Sequence, residues 1–429
     1  MHKQNPKRIV LTTFGSLGDL HPYIALGIGL RERGHEVSLA TSEIYRKKIE
    51  GEGLGFFPVR PDLLPPEQAK ELIAKVMDER RGPAFLFKRI LLPALRDSYE
   101  DLMAATEGAD LLVGHMITLA APLVAEKRGM RWVSTALQPS VFLSAYDPPN
   151  LATTPWPAWL MNLGPSWARG LLAIVRMVQN VWLRPVLRFR AELGLPATRA
   201  AGLDLQVSPY LHLALFSSAL AKPQIDWPRQ TRQCGFCFFD RLDAEQHLSP
   251  EIETFLLAGP PPIIFTLGSS AVMNPGSFYR ESIAAARILS ARALLLIGPD
   301  AQGLPKPLPQ GMLAAPYAPY SEVFPRGAVI VHQGGVGTTG QALRAGRPQL
   351  IVPFAYDQPD NAARVARQGA GRVLARRRYT SERVATELRS LLSESTYTER
   401  AKKLADIVHW EDGVATACDA IEQQLALAG

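Results

Sequence analysis

The chain has 429 residues, of which 47% are hydrophobic and 20% charged, and a net charge of +7. That length suits two or three domains and that apolar content fills their cores, so a disordered or fibrous chain is excluded. The basic balance suits an anionic ligand or an anionic membrane surface; without zinc-finger spacing or an aromatic RNA-binding motif, nucleic acid is not expected as a partner.

Only three cysteines occur, which fits a reducing cytoplasm. Cys234 and Cys237 form a CGFC pair. No second pair completes a metal site, so they read as small apolar side chains in a strand-like run, and no metal is expected. The basic N-terminus has too short an apolar run for a signal peptide. No stretch of 18 uncharged apolar residues suggests a membrane span, and a cytoplasmic location follows as the expectation.

Residues 8–14 (RIVLTTF) read as a buried strand. A glycine-containing turn, 15–22 (GSLGDLHP), leads to helical spacing over 23–33 with Gly34 as its cap, and 36–41 is a second strand. This is a Rossmann-like opening without the dinucleotide fingerprint. Within the turn, Asp19 reads structurally as the cap of a helix starting near Pro22. Residues 62–107 read as helices and loops, 110–114 as a strand with His115 at its end, and 132–135 as another strand, leading into a stretch that contains Phe142.

Residues 155–190 carry four Trp, two Met and five Arg with no acid. They read either as an amphipathic lip over an apolar cleft, touching a membrane, or as packing helices with exposed Arg. Residues 240–262 are polar and end in GPPP, which places an interdomain linker there. Strands follow at 263–267, before Gly268 and Ser269, and at 293–297.

Residues 329–361 (VIVHQGGVGTTGQALRAGRPQLIVPFAYDQPDN) organise the second half. A β-branched run from 328 to 331 is a strand, 333–339 a glycine-rich turn, 340–345 a helical stretch that stops at Gly346, and 349–352 another strand. Glycines let the backbone approach a bulky anion, and the first turn of a helix offers free N–H groups and a positive dipole end. Thr338 and Thr339 add hydroxyls. The reading is a diphosphate cradle, with a plain tight turn as the alternative. No Lys follows the glycines, so it is not a Walker loop. Asp357 and Gln358 follow the next strand, at the carboxyl end where open α/β sheets bind ligands. A carboxylate beside an amide can hold two or three sugar hydroxyls.

This HQGGVGTT…P…DQ…NA string resembles the donor-binding signature of the UDP-glycosyltransferase superfamily, nearest its bacterial branch acting on sterols, antibiotics and lipids. The resemblance implies an α/β chain with the GT-B fold, two Rossmann-like doubly wound domains facing across a cleft. It assigns residues 1–235 to an acceptor domain, 240–409 to a donor domain, and a helix within 410–429 that packs back on the first. It implies diphosphate contacts near Gly335, Gly337 and Thr338, phosphate or sugar contacts from Gly268 and Ser269, ribose contacts from Gln341, sugar contacts from Asp357 and Gln358, and base stacking on Tyr317. The superfamily's phosphate-contacting His falls on Gln333, with His332 one position earlier, and both remain candidates.

The GSLGDLHP turn is similar to the GSxGDxxP turn of the bacterial and sterol members, where an Asp replaces the catalytic His of plant enzymes. Asp19 therefore matches the base, His21 is its rival because imidazole has the more convenient pKa, and His115 either polarises the base or lines the pocket. Segments at 133–149 and 223–240 resemble bacterial rhamnolipid rhamnosyltransferases. The implied activity is inverting transfer of glucose or rhamnose from a nucleoside-diphosphate sugar, without a cofactor, to a lipophilic hydroxy-lipid, sterol or flavonoid. Trp156, Trp159 and Phe142 are expected against that acceptor, with peripheral contact at the inner membrane face. A sugar-nucleotide epimerase of the same fold and a degenerate auxiliary protein are the alternatives.

Overall fold

The computed structural model describes residues 6–63, 66–154, 158–198, 200, 202–240, 248–298, 304–305 and 307–427. Its strands are β1 (Arg8–Thr12), β2 (Glu36–Thr41), β3 (Gly55–Pro58), β4 (Leu111–His115), β5 (Trp132–Ala136), β6 (Leu211–Ala214) and β7 (Thr231–Gln233) in the first half. The second half has β8 (Ile263–Thr266), β9 (Ala293–Leu296), β10 (Met312–Ala315), β11 (Val329–His332), β12 (Gln349–Ile351) and β13 (Gly371–Val373). Each half is one parallel sheet, ordered β3-β2-β1-β4-β5-β6-β7 and β10-β9-β8-β11-β12-β13. The central strands are continuous apolar runs because helices cover both faces. Strand order reverses between β1 and β4 and between β8 and β11, and the carboxyl ends at such a reversal are where open α/β sheets bind ligands.

One face of the first sheet (Ile9, Leu11, Leu111, Val113) packs on helix Leu17–Glu32 through Ile24 and Leu30. The same core takes in the last helix, Gly413–Ala426, through Ala417, Cys418 and Ile421. Gly29 allows that approach, since a Cβ there would lie 2.5 Å from Val414 Cγ1. In the second half, Phe265, Val329 and Val331 bury against Phe278, Ile283 and Leu388. All three cysteines are buried and unbridged, and Cys234 and Cys237 belong to the first core, in line with their apolar reading.

Two helix starts differ from the sequence reading. The helix after β1 begins at Leu17, ahead of Pro22, because Ser16 and Asp19 form a capping box. The helix after β11 begins at Val336 with Gly335 as its N-cap, so Gly337, Thr338 and Thr339 lie in its first turn and not in a loop. Short strands β3, β6, β7, β10 and β13 were not legible. The acid-free segment forms helices Ala158–Leu163, Pro165–Trp182 and Arg184–Glu192. Among the described residues no helix is long and apolar enough to cross a membrane.

Candidate active site

The β1 turn holds a carboxylate at a helix N-terminus. Asp19 Oδ2 accepts from the Ser16 N–H at 2.8 Å and from Ser16 Oγ at 3.2 Å, while Ser16 Oγ accepts from Gly18 N–H at 3.3 Å. Gly15 makes room for it: φ there is +129°, and a Cβ would lie 2.3 Å from Asp19 Oδ2. Burial pushes the Asp19 carboxyl up to about 6, against the Ser16 hydrogen bonds, which lower it. The group is thus a carboxylate at neutral pH whose affinity for a proton suits a general base.

The histidines sit differently. Burial and the nearby Lys48 charge push His21 down to about 3. Its Nε2 is buried without a partner and its ring lies 5.2 Å from Phe239, edge to face. A neutral imidazole that weakly basic is a poor proton acceptor, so the site's chemistry favours Asp19 over His21. His115, at the end of β4, is buried and pushed down to about 4 by that burial. Its Nδ1 lies 3.3 Å from Thr13 Oγ1, and Thr13 Oγ1 donates to the Asp19 backbone carbonyl at 3.3 Å. His115 therefore supports the backbone under Asp19 through Thr13, a residue the sequence reading had passed over.

On the facing half, His332 is fully buried with both ring nitrogens engaged: Nδ1 accepts from Gly334 N–H at 3.0 Å and Nε2 meets Gln349 Oε1 at 2.9 Å. It braces the turn and has no ring nitrogen left for a phosphate. Gln333 instead turns toward Gly268 and Thr338, its Nε2 3.4 Å from Thr338 Oγ1. Gly268 (φ +64°) is needed there, as a Cβ would lie 2.2 Å from Gln333 Nε2. Ser269 and Gly337 are exposed, and a Cβ at Gly337 would meet nothing within 4 Å. Gln333 Oε1, Thr339 Oγ1, Gln341 Oε1 and Asn361 Oδ1 are buried without a hydrogen-bond partner. Such atoms are rare in folded proteins, and three of these four belong to the turn and helix that follow β11.

Asp357 closes that N-terminus. Its Oδ2 accepts from Val336 N–H at 3.2 Å and from Asn361 Nδ2 at 2.6 Å; Asn361 Nδ2 also donates to Gly334 O at 2.9 Å. Asn361, the N of the DQ…NA string, received no role from the sequence; its i, i+4 spacing from Asp357 on a helix was the available signal. Gln358 is largely committed to its own loop, since its Oε1 accepts from Phe354 N–H at 2.8 Å and Ala355 N–H at 3.1 Å. Burial, with a further contribution from the charge of Asp19, pushes Asp357 up to about 7, against the hydrogen bonds from Asn361 and Val336, which lower it. The two carboxylates feel each other because the halves close here: helix Leu17–Glu32 touches helices Gly268–Ala271 and Val336–Arg344.

Other expected residues are less open. Tyr317 is partly buried and donates its hydroxyl to Asp240 O at 2.6 Å. Phe142 stacks on Trp227 with centroids 4.1 Å apart inside an aromatic core that includes Phe216, so it is packed in and not an open wall. Trp159 is 61% exposed. Trp156 lies outside the described residues.

Two facing parallel-sheet halves with a carboxylate at each switch point define a GT-B glycosyltransferase fold. The kitacinnamycin glycotransferase shares it, with a TM-score of 0.76 over 98% of this chain and 100% of that one, at 21% identity. Residues 9–98 match the glycosyltransferase family 28 N-terminal domain, and residues 285–412 match the erythromycin biosynthesis protein CIII-like C-terminal domain. The chain is 37% identical to O-mycaminosyltylonolide 6-deoxyallosyltransferase of Streptomyces fradiae, covering 97% of both. It is 27% identical over 97% of its own length to sterol 3-beta-glucosyltransferase of Candida albicans, spanning 28% of that longer protein. The chain belongs to the UDP-glycosyltransferase superfamily and is a glycosyltransferase. The epimerase alternative finds no support among these relatives.

Proposed function

We propose that this glycosyltransferase moves a hexose, with inversion and without a metal, from a nucleoside-diphosphate sugar to a hydroxyl of a large apolar aglycone. The observation that carries the reading is the pair of carboxylates across the cleft, one on each half. Asp19 accepts the proton as the acceptor oxygen bonds to the anomeric carbon, and the bond from that carbon to the diphosphate breaks. The leaving diphosphate is met by the N–H groups of helix Val336–Arg344, the Thr338 hydroxyl and the helix dipole, acting at the position where charge develops. Gly268, Ser269 and Gln333 complete the phosphate side, Gln341 the ribose side, and Asp357 with Gln358 the donor sugar. In this scheme Tyr317 presents its ring to the base while Asp240 holds its hydroxyl.

The acceptor class is supported by two of the relatives, whose names specify O-mycaminosyltylonolide and a sterol as what they glycosylate. We read the exposed stripe of Trp159, Trp167, Ile174 and Met177, in a stretch without acids, as a peripheral contact with anionic membrane at the cytoplasmic face. The domain assignment follows the same division: residues 1–235 with the last helix for the acceptor, 240–409 for the donor.

The test is a panel of UDP- and dTDP-linked glucose, rhamnose and deoxyhexoses against sterols, macrolactones, flavonoids and hydroxy-lipids. Product anomeric configuration is read by NMR, with and without chelator. Inverted glycosides on apolar alcohols are expected at unchanged rate in chelator. Retained configuration, or activity on hydrophilic sugars alone, would refute the reading. Vesicle co-sedimentation that is independent of anionic lipid would remove the membrane contact.

A further inference from the structure

The helix that begins just after Asp357, Gln358–Arg367, carries a buried charge cluster that no step above uses. Arg364 is 2% exposed, unusual for a guanidinium, and is held from two sides. Its Nε donates to Asp360 Oδ2 at 2.7 Å on its own helix, and its Nη1 donates to Asp147 Oδ2 on a loop of the other half. Arg367 Nη2 donates to the second Asp147 oxygen at 3.0 Å. The crossing also runs the other way: the Asn150 N–H donates to Asp360 Oδ1 at 2.9 Å. Two carboxylates and two guanidiniums make the cluster neutral, and every charge in it has an opposite partner.

The places it joins matter. Asp357, Asn361 and Arg364 are spaced i, i+4 and i+7, one face of the helix. Asn361 grips Asp357 at 2.6 Å, so the cluster sits one turn behind the donor-side carboxylate. At the other end, Leu143 and Ala145, just before Asp147, form a core with Met161, Ala168 and Leu172 of the Trp- and Arg-rich lip. Asp226 pins the same loop through Ser144 Oγ at 2.6 Å and Ala145 N–H at 2.7 Å. A second crossing flanks Asp357 on its other side: Tyr356, with φ +58°, donates its hydroxyl to Val76 O at 2.7 Å. A left-handed tyrosine is uncommon and persists where its surroundings require it.

The geometry points to Asp147 and Arg364 as an interdomain latch that sets the register of Asp357 and the donor helix against Asp19 and the acceptor lip. They are positioning residues. Neither touches the reacting atoms; they act by holding the two carboxylates on facing halves at one spacing. Reaction rates are steep in such placement. Nucleotide binding uses residues of the second half alone and does not need the latch. The role in transfer rests on the proposed function, whereas the closure itself does not.

Asp147→Ala and Asp147→Asn are the informative variants, because Arg364 then keeps Asp360 and no buried charge is stranded. Three readouts separate the outcomes. Spin labels at Glu107→Cys and Arg389→Cys, both exposed and on opposite halves, report the interdomain distance; the chain's own cysteines are buried. Calorimetry with UDP and dTDP reports donor-half binding, and steady-state kinetics report transfer. We expect a longer, broader distance distribution in Asp147→Ala, nucleotide Kd within twofold, and kcat lower by tenfold or more, with Asp147→Asn between it and the parent. Unchanged distance and kcat overturn the latch. Parallel loss of Tm and nucleotide binding also overturns it, as that marks a merely structural pair. If neither nucleotide binds and no transfer occurs, the functional reading has failed, and the distance measurement alone decides the latch.

Discussion

The two halves share a sheet order and place a carboxylate at a helix N-terminus after the switch-point strand, yet the carboxylates are held in opposite ways. Asp19 caps the helix it belongs to, in a box closed by Ser16, with Gly15 excluded from carrying a side chain. Asp357 caps a helix that belongs to a different turn, by one 3.2 Å bond to Val336 N–H, with Asn361 at its side. The first N-terminus is satisfied from within, by Ser16 and Asp19. The second is capped from another element by a single bond, among buried amide and hydroxyl atoms that lack partners. In the proposed function, one fold thereby yields a fixed base on one side and an anion cradle on the other. The difference lies in which residue supplies the cap.

Four measurements break or sharpen this contrast. The largest effect is expected from Asp19→Asn, which keeps the cap's shape and removes the base. Transfer should fall by about 10²–10⁴-fold while UDP or dTDP affinity is unchanged. Near-normal turnover in that variant, with His21→Ala inactive, would move the base to His21.

The next is Gly15→Ala against Gly18→Ala. At Gly15 the backbone is left-handed and a Cβ would lie 2.3 Å from Asp19 Oδ2. At Gly18, in the helix, a Cβ would meet only Ser16 Oγ at 3.5 Å. Gly15→Ala should cost more than about 1 kcal/mol in urea melts together with most activity, whereas Gly18→Ala should be neutral or stabilising by about 0.5–1 kcal/mol. Equal effects would mean that the tight approach to Asp19 has no consequence.

The third is pH. A base raised to about 6 gives kcat/KM that rises about tenfold per unit below that value and levels above it. The stability sign is opposite. Folded-state values near 6 for Asp19 and 7 for Asp357 lie above the ordinary carboxyl value of 3.8, so the protonated forms favour the fold. Their contribution is complete below about 4 and is lost as pH rises through 6 to 7. Asp357→Asn should flatten the upper part of the Tm-versus-pH curve; an unaltered curve would show that Asp357 is not raised by its surroundings.

The smallest effects separate Asp357 from Gln358. Asp357→Ala removes hydrogen bonds to the sugar, about 0.5–1.5 kcal/mol each or more when charged, and should weaken a nucleotide sugar severalfold. The free nucleoside diphosphate should bind equally well or better, because Val336 N–H is released. Gln358→Ala should weaken both ligands, since Gln358 Oε1 holds the loop at Phe354 and Ala355, and the nucleotide sugar somewhat more, since in the proposed function its Nε2 meets a sugar hydroxyl. Calorimetry showing the reverse pattern would exchange their roles.

Much of this was legible in the sequence. The apolar runs at β1, β8 and β11 and the glycine-rich turns after them give two Rossmann-like halves, since runs buried on both faces need crossover helices. The resemblance of the turns around Asp19, Thr338 and Asp357 to those of the superfamily marked the candidate site, and all three lie near strand carboxyl ends and helix starts, where open α/β sheets bind ligands. What local pattern could not decide was where each side chain spends its hydrogen bonds. His332 is one residue from Gln333, and only the packing of β11 on β12 makes Gln349 its partner and leaves Gln333 to face Gly268 and Thr338. Phe142 read as an acceptor wall and is stacked on Trp227, which lies 85 positions on. The proximity of Asp19 to Asp357, and of Asp147 to Arg364, joins residues more than two hundred positions apart. Sequence periodicity ends at each element, whereas the closing of one half on the other is set by contacts between elements, and the value of a carboxyl's pKa depends on those contacts.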